Sequence, residues 1–151
     1  MKSIIKSFAL IAGLLLPLAF ANAHCQIPCG IYADDVVFGE LMTDVETIQK
    51  SMKQIQRLGE DPSANPNQLV RWVTNKEDHA QNIQETMSAY FLAQRISLGL
   101  RDNDAEKYDK LVGLAHEIIV LAMKCKQTTD LDNADKLEKA LHTFQHAYSG
   151  K

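Results

Sequence analysis

Residues 34–59 read DDVVFGELMTDVETIQKSMKQIQRLG, and this stretch decides the fold. Val37, Leu41, Val45, Ile48, Met52 and Ile55 recur at steps of four, four, three, four and three, the single apolar stripe of an amphipathic helix. Asp34 or Asp35 is placed to cap its start, and Gly59 stands just past its end.

Working outward, residues 59–67 hold Pro62 and Pro66 among small polar side chains, which reads as a loop. A second helix is predicted over 68–98, with Leu69, Val73, Ala80, Ile83, Met87, Tyr90 and Phe91 on its stripe. The stripe lapses at Lys76 and Glu77, which is expected where a helix face meets other subunits. Gly99 ends this helix, and 101–104 is a polar turn with Asp102, Asn103 or Asp104 placed to cap the next helix. That third helix, over 105–126, carries Tyr108, Leu111, Ala115, Ile118, Ala122 and Cys125. After a break at 128–130, a fourth carries Ala134, Leu137, Leu141, Phe144 and Tyr148. No strand-type alternation competes. Four amphipathic helices with short connections predict an all-α fold over 33–151, an antiparallel up-down-up-down four-helix bundle.

Upstream, Lys2 and Lys6 precede an apolar run over 8–20, and Ala21 and Ala23 supply the small residues that a signal peptidase reads. That is the layout of a secretory signal peptide over 1–23. The run is shorter than the roughly 20 residues of a membrane span. The expected destination is the periplasm or the medium, with no membrane attachment after cleavage. Losing Lys2 and Lys6 makes the net charge of −3 two units more negative. A mildly acidic body without a basic run argues against nucleic acid and anionic membrane surfaces. Export places Cys25, Cys29 and Cys125 where disulfides are the default fate of paired thiols. Three is an odd number, so one thiol is left over.

Cleavage after Ala23 would start the chain at His24-Cys25-Gln26-Ile27-Pro28-Cys29-Gly30-Ile31-Tyr32. His24 then offers an α-amine and an imidazole, Cys25 a backbone nitrogen and a thiolate, and Cys29 a second thiolate. An amine, a deprotonated amide and two thiolates favour a square-planar site, which suits nickel or copper, with the imidazole as axial ligand. Pro28 fixes φ and helps the chain bend back, and Gly30 permits conformations that other residues resist. Three readings stay open on these residues alone: a redox metal centre, a non-catalytic exported nickel- or copper-binding helical bundle, and a metal-free protein with a Cys25–Cys29 disulfide.

The string His-Cys-x-x-Pro-Cys-Gly-x-Tyr at a mature N-terminus, followed by a four-helix bundle, resembles nickel superoxide dismutase. The resemblance implies that 24–32 is a nickel-binding hook, with one nickel ion per subunit. The ligands would be the α-amine and imidazole of His24, the backbone nitrogen and thiolate of Cys25, and the thiolate of Cys29. It implies a cis Ile27–Pro28 peptide, a Tyr32 that stands over the open face of the metal, and a Glu40 that orients the imidazole. It further implies a homohexamer and the conversion of superoxide to dioxygen and hydrogen peroxide through Ni(III)/Ni(II), a couple that anionic thiolate and amide donors lower. Two departures stand out. Gln26 replaces an acidic residue of better-known members. The arginine that supports the imidazole in some members has no clear match, His79 and Arg71 being the nearest candidates.

The remaining residues read more plainly. Cys125 lies on an apolar stripe and is expected to be a buried, inert thiol. His142 and His146 lie four apart without acidic or cysteine partners, so a solvated helix face is expected. Trp72 and Phe144 read as core or subunit-contact residues.

Overall fold

A computed structural model describes residues 26–150. The signal peptide read over 1–23, and with it His24 and Cys25 of the hook, lie outside the described residues. The described residues form helix α1 (Asp34–Gly59), helix α2 (Pro66–Glu85) running on into a π-helical segment (Thr86–Arg95), a short α3 (Leu98–Asn103), α4 (Ala105–Gln127) and α5 (Leu131–Ser149), with no strand among them. The all-α expectation holds.

Apolar periodicity dictates the packing. Helix α1 lies against α2 and α5, α4 lies against the same two helices, and α3 rests on α4. One hydrophobic cluster runs through them, with Leu41, Val45, Ile48 and Met52 of α1, Ile83 and Met87, Leu111 and Ile118 of α4, and Leu137, Leu141 and Phe144 of α5 fully buried.

Several local expectations are corrected. The N-cap of α1 is Ala33, with no side-chain capping bond; the carbonyl of Ala33 accepts from Val36 and Val37 N–H instead. Asp34 is thereby released for a tertiary role. The second helix does not run as an α-helix to residue 98. From Thr86 its ladder widens, so that Ile96 N–H donates to Phe91 O at 2.8 Å, five residues back. Gly99 ends nothing but lies inside α3, which Ser97 caps by accepting from Leu100 N–H. Asp104 does cap α4, accepting from Lys107 N–H at 3.0 Å.

A further correction concerns Lys76, which is buried within the chain rather than turned toward another subunit. Its Nζ donates to Cys125 O at 2.7 Å and to Lys126 O, and pairs with Glu77 at 2.9 Å. A cation on the last carbonyls of α4 satisfies acceptors that the helix itself leaves open and complements its dipole. Val73, placed on the stripe by spacing, is instead 39% exposed, and Gly59, expected just past the end of the first helix, is its last residue, with Glu60 as the C-cap.

Candidate metal centre

The described part of the expected hook, residues 26–32, begins as a tight turn. Cys29 N–H donates to Gln26 O at 3.0 Å and Ile31 N–H to Pro28 O at 2.9 Å. The Ile27–Pro28 peptide is cis, as the resemblance implies. Cys29 itself has φ 32° and Gly30 has φ 83°, in the left-handed region where a Cβ is strained and glycine is not. The turn therefore carries Cys29 on its exposed tip. Cys29 is disulfide-bonded here, and a disulfide sulfur is not a thiolate ligand, so this sulfur must be reduced before it can hold a metal. In that state the donor fits a thiophilic ion: one soft anionic sulfur at the tip of a solvent-facing turn. The other donors expected of the hook, on His24 and Cys25, lie outside the described residues. Among the described residues no cluster of three or more His, Cys, Asp or Glu side chains is arranged to hold a metal ion.

What fastens the turn to the helices comes from the π-helical segment. Gln94 Nε2 donates to Ile27 O at 3.2 Å. The Arg95 guanidinium lies over the Tyr32 ring, 4.2 Å from its centroid, and the Tyr90 ring meets Tyr32 edge-on at 5.8 Å and 89°. A cation on an aromatic face contributes about 0.5–1 kcal/mol at a partly exposed site, and an edge-to-face ring pair about as much. Behind Tyr90 the rings continue into the core through Phe91, Phe38, Phe144 and Tyr148.

Asp34 ties these parts together. Its carboxylate accepts from Arg95 Nε at 2.9 Å and from Arg95 Nη2 on the second oxygen, from Tyr90 Oη at 2.6 Å and from Tyr148 Oη at 2.8 Å. Partial burial pulls the Asp34 pKa up. The hydrogen bonds from Arg95, Tyr90 and Tyr148, with the Arg95 charge, outweigh that and hold it below the usual value. Tyr90 and Tyr148 are each pushed up to about 12, first by burial and then by donating to Asp34. Arg95 is held charged above all by the Asp34 hydrogen bond.

Of the two residues expected beside the metal, Tyr32 is 37% exposed and sits against this network. Glu40 is exposed on α1 and has no partner among the described residues. One turn further on, buried Asp44 engages His79 Nδ1 at 2.6 Å and accepts from Asn82 Nδ2 at 2.6 Å. His79 is therefore committed to Asp44 rather than to Glu40. Arg71 lies on the exposed face of α2 beside Gln68, Trp72 and Asn75. His142 and His146 are exposed on α5, Phe144 is core, and Trp72 is half-buried under Lys50. Cys125 is a free, fully buried thiol, pushed up to about 11 by burial against an opposing pull from the Lys76 charge.

Sequence reading missed Asp34, Gln94 and Arg95 as partners of the hook. The available signal was slight: a second aspartate where one suffices for a cap, and a glutamine and an arginine directly after the apolar run over 89–93 of the second helix.

Comparison with known proteins adds the family. The family model described as nickel-containing superoxide dismutase matches residues 19–151, which includes the whole hook and all the helices. No curated protein and no solved structure matches the chain.

Proposed function

Because the chain belongs to the nickel-containing superoxide dismutase family, we propose that the turn around Cys29 is its metal-binding hook and Tyr32 its gate. The enzyme is a nickel-dependent oxidoreductase that takes two superoxide anions and two protons to dioxygen and hydrogen peroxide. Nickel, when bound, supplies the one-electron Ni(III)/Ni(II) couple for both half-reactions.

The chain's own residues do the rest. The α-amine and imidazole of His24, the backbone nitrogen and thiolate of Cys25 and the thiolate of Cys29 form the ligand set. Tyr32 follows Cys29 by three positions and is held by Arg95 and Tyr90, so it limits what reaches the hook. Glu40, with no partner among the described residues, keeps its carboxylate available to orient the His24 imidazole. A net negative chain gives superoxide no long-range attraction, so access at the hook, not steering, governs selectivity.

The finer architecture belongs to the same reading. Residues 1–23 are a signal peptide removed on export to the periplasm or the medium, 24–32 the hook, and 33–151 an antiparallel up-down-up-down four-helix bundle that assembles as a homohexamer. The mutual packing of α1, α2, α4 and α5 supports the bundle. None of the helices among the described residues is long and apolar enough to cross a membrane. The observation that carries the reading is the family match across residues 19–151, hook included. No finding favours a non-catalytic carrier.

Native mass spectrometry of the exported protein, with superoxide turnover measured on the same sample, tests it. Chains starting at His24, each with one nickel and assembled as hexamers, are expected. A start at any other residue removes the amine ligand and sinks the proposed site. Chains that lack metal, are lighter by two hydrogens and show no turnover would return the metal-free disulfide reading.

A further inference from the structure

The structure assigns Arg95 a role as a positioning residue that fixes Tyr32 in place before nickel arrives, with Asp34 bracing Arg95 from behind. The inference rests on the reading of Tyr32 as the gate and deepens it.

Three observations carry it. The Tyr32 ring has an arginine on one face, with the guanidinium carbon 4.2 Å from the centroid, and a second ring edge-on at 5.8 Å. The guanidinium is itself immobilised, since Nε and Nη2 each donate to a different oxygen of Asp34. A two-pronged arginine–carboxylate pair fixes the plane of the guanidinium as well as its position. The helix carrying Arg95 is also wound for this contact. Residues five apart on an α-helix point roughly 140° away from each other at 3.6 residues per turn. The wider π-helical winding over Thr86–Arg95 brings Tyr90 and Arg95 to the same side. Both then reach Tyr32 and Asp34, while Gln94 holds the carbonyl of Ile27 at the far side of the turn. None of these contacts needs a metal.

An alternative use for Arg95 would be to attract superoxide by its charge. Its pairing with Asp34 argues against that, because the carboxylate cancels the field that a free guanidinium would present. The two roles separate in the variant Arg95→Lys. Lysine keeps the charge but has neither the flat face that stacks on a ring nor the fork that grips a carboxylate.

The test uses the mature chain with fluorotyrosine at its four tyrosines, reduced and free of metal, read by fluorine NMR, with the Tyr32 signal identified by its loss in Tyr32→Phe. In the unsubstituted protein this signal is expected well away from the free-tyrosine position. In Arg95→Lys and Asp34→Asn it is expected to move toward that position, while Tyr148→Phe, which removes a donor to Asp34 but leaves Arg95 on the ring, is expected to leave it in place. On loading with nickel, Arg95→Lys is expected to keep its full metal content yet lose turnover severalfold. A Tyr32 signal unchanged in both Arg95→Lys and Asp34→Asn overturns the inference, as does one already at the free-tyrosine position in the unsubstituted protein. Turnover undiminished in Tyr32→Phe would instead overturn the gate reading, while a released ring in Arg95→Lys would still establish the positioning. If Arg95→Lys melts too low to be measured, Asp34→Asn carries the same decision.

Discussion

At the scale of single residues, Asp34 does the work of several. The sequence offers it as a helix cap, and the fold uses it to satisfy Arg95 twice and the hydroxyls of Tyr90 and Tyr148 once each. The linkage to pH comes from the direction of each shift. Asp34 is held below its ordinary 3.8, so its contribution to stability is present above about pH 4 and is lost as pH falls through the lowered value. Tyr90 and Tyr148 are raised from 10.0 to about 12, so their contribution is intact below about pH 10 and is lost as pH climbs toward 12. The cluster therefore stabilises the fold most between those limits. Replacing Asp34 by Asn removes a charged acceptor and is expected to cost about 2 kcal/mol at neutral pH, given about 1.5–3 kcal/mol for hydrogen bonds to charged groups. The same change is expected to flatten the acid limb of the stability profile and to return both phenols toward ordinary titration. Urea melts across pH, with phenolate absorbance followed alongside, check both. An acid limb of unchanged size in Asp34→Asn would show that other carboxylates dominate it.

At the scale of elements, the stripes of α1, α4 and α5 are legible because a period near 3.6 leaves one unbroken apolar face, and the core fills from it. Reading failed where that period fails. The π-helical segment keeps Tyr90 and Phe91 buried just as an α-helix would, so periodicity gives no warning that the winding has changed or that Arg95 has come round to the hook. Lys76 misleads for a different reason. A long cationic side chain at a core position looks like a breach, yet here it reaches the end of α4 and satisfies its carbonyls. If that cap is worth about 1–3 kcal/mol, then Lys76→Met, which keeps the packing and drops the donors, is expected to let the end of α4 open about 5- to 150-fold more often. Cys125 is the reporter, being fully buried with its thiol pushed up to about 11 and so nearly unreactive when closed. Its alkylation rate, followed on its own peptide by mass spectrometry, should rise by that factor in Lys76→Met. Equal rates in the two proteins would mean the lysine caps nothing of consequence.

At the scale of the whole molecule, the candidate site divides into a part written in one string and a part written across the chain. The proposed donors and Tyr32 fall within nine consecutive residues, which is why the string by itself suggests a site. The bond that tethers the string joins Ile27 to Gln94, 67 positions apart, and no local pattern records that pairing. The surface around the hook points to the next level of assembly. Ile27 is 89% exposed, Ile31 84% and Val36 60%, three exposed apolar residues close in sequence where the chain enters α1. Isolated apolar residues on a surface call for no explanation, but three so close in sequence to the proposed thiolate site, which has to be kept from peroxide, do. The proposed homohexamer would cover them. Ile31→Glu combined with Ile27→Glu should leave each subunit folded, since exposed substitutions shift stability by only about 0.5 kcal/mol, while a charge forced into an apolar contact disfavours association. Sedimentation velocity is expected to show the double variant as smaller species at concentrations where the unsubstituted protein forms the proposed hexamer, with an unchanged helical spectrum and faster loss of nickel. Hexamers that persist with both glutamates in place would remove this face from the assembly, and the hook would then have to protect its sulfurs with Tyr32 alone.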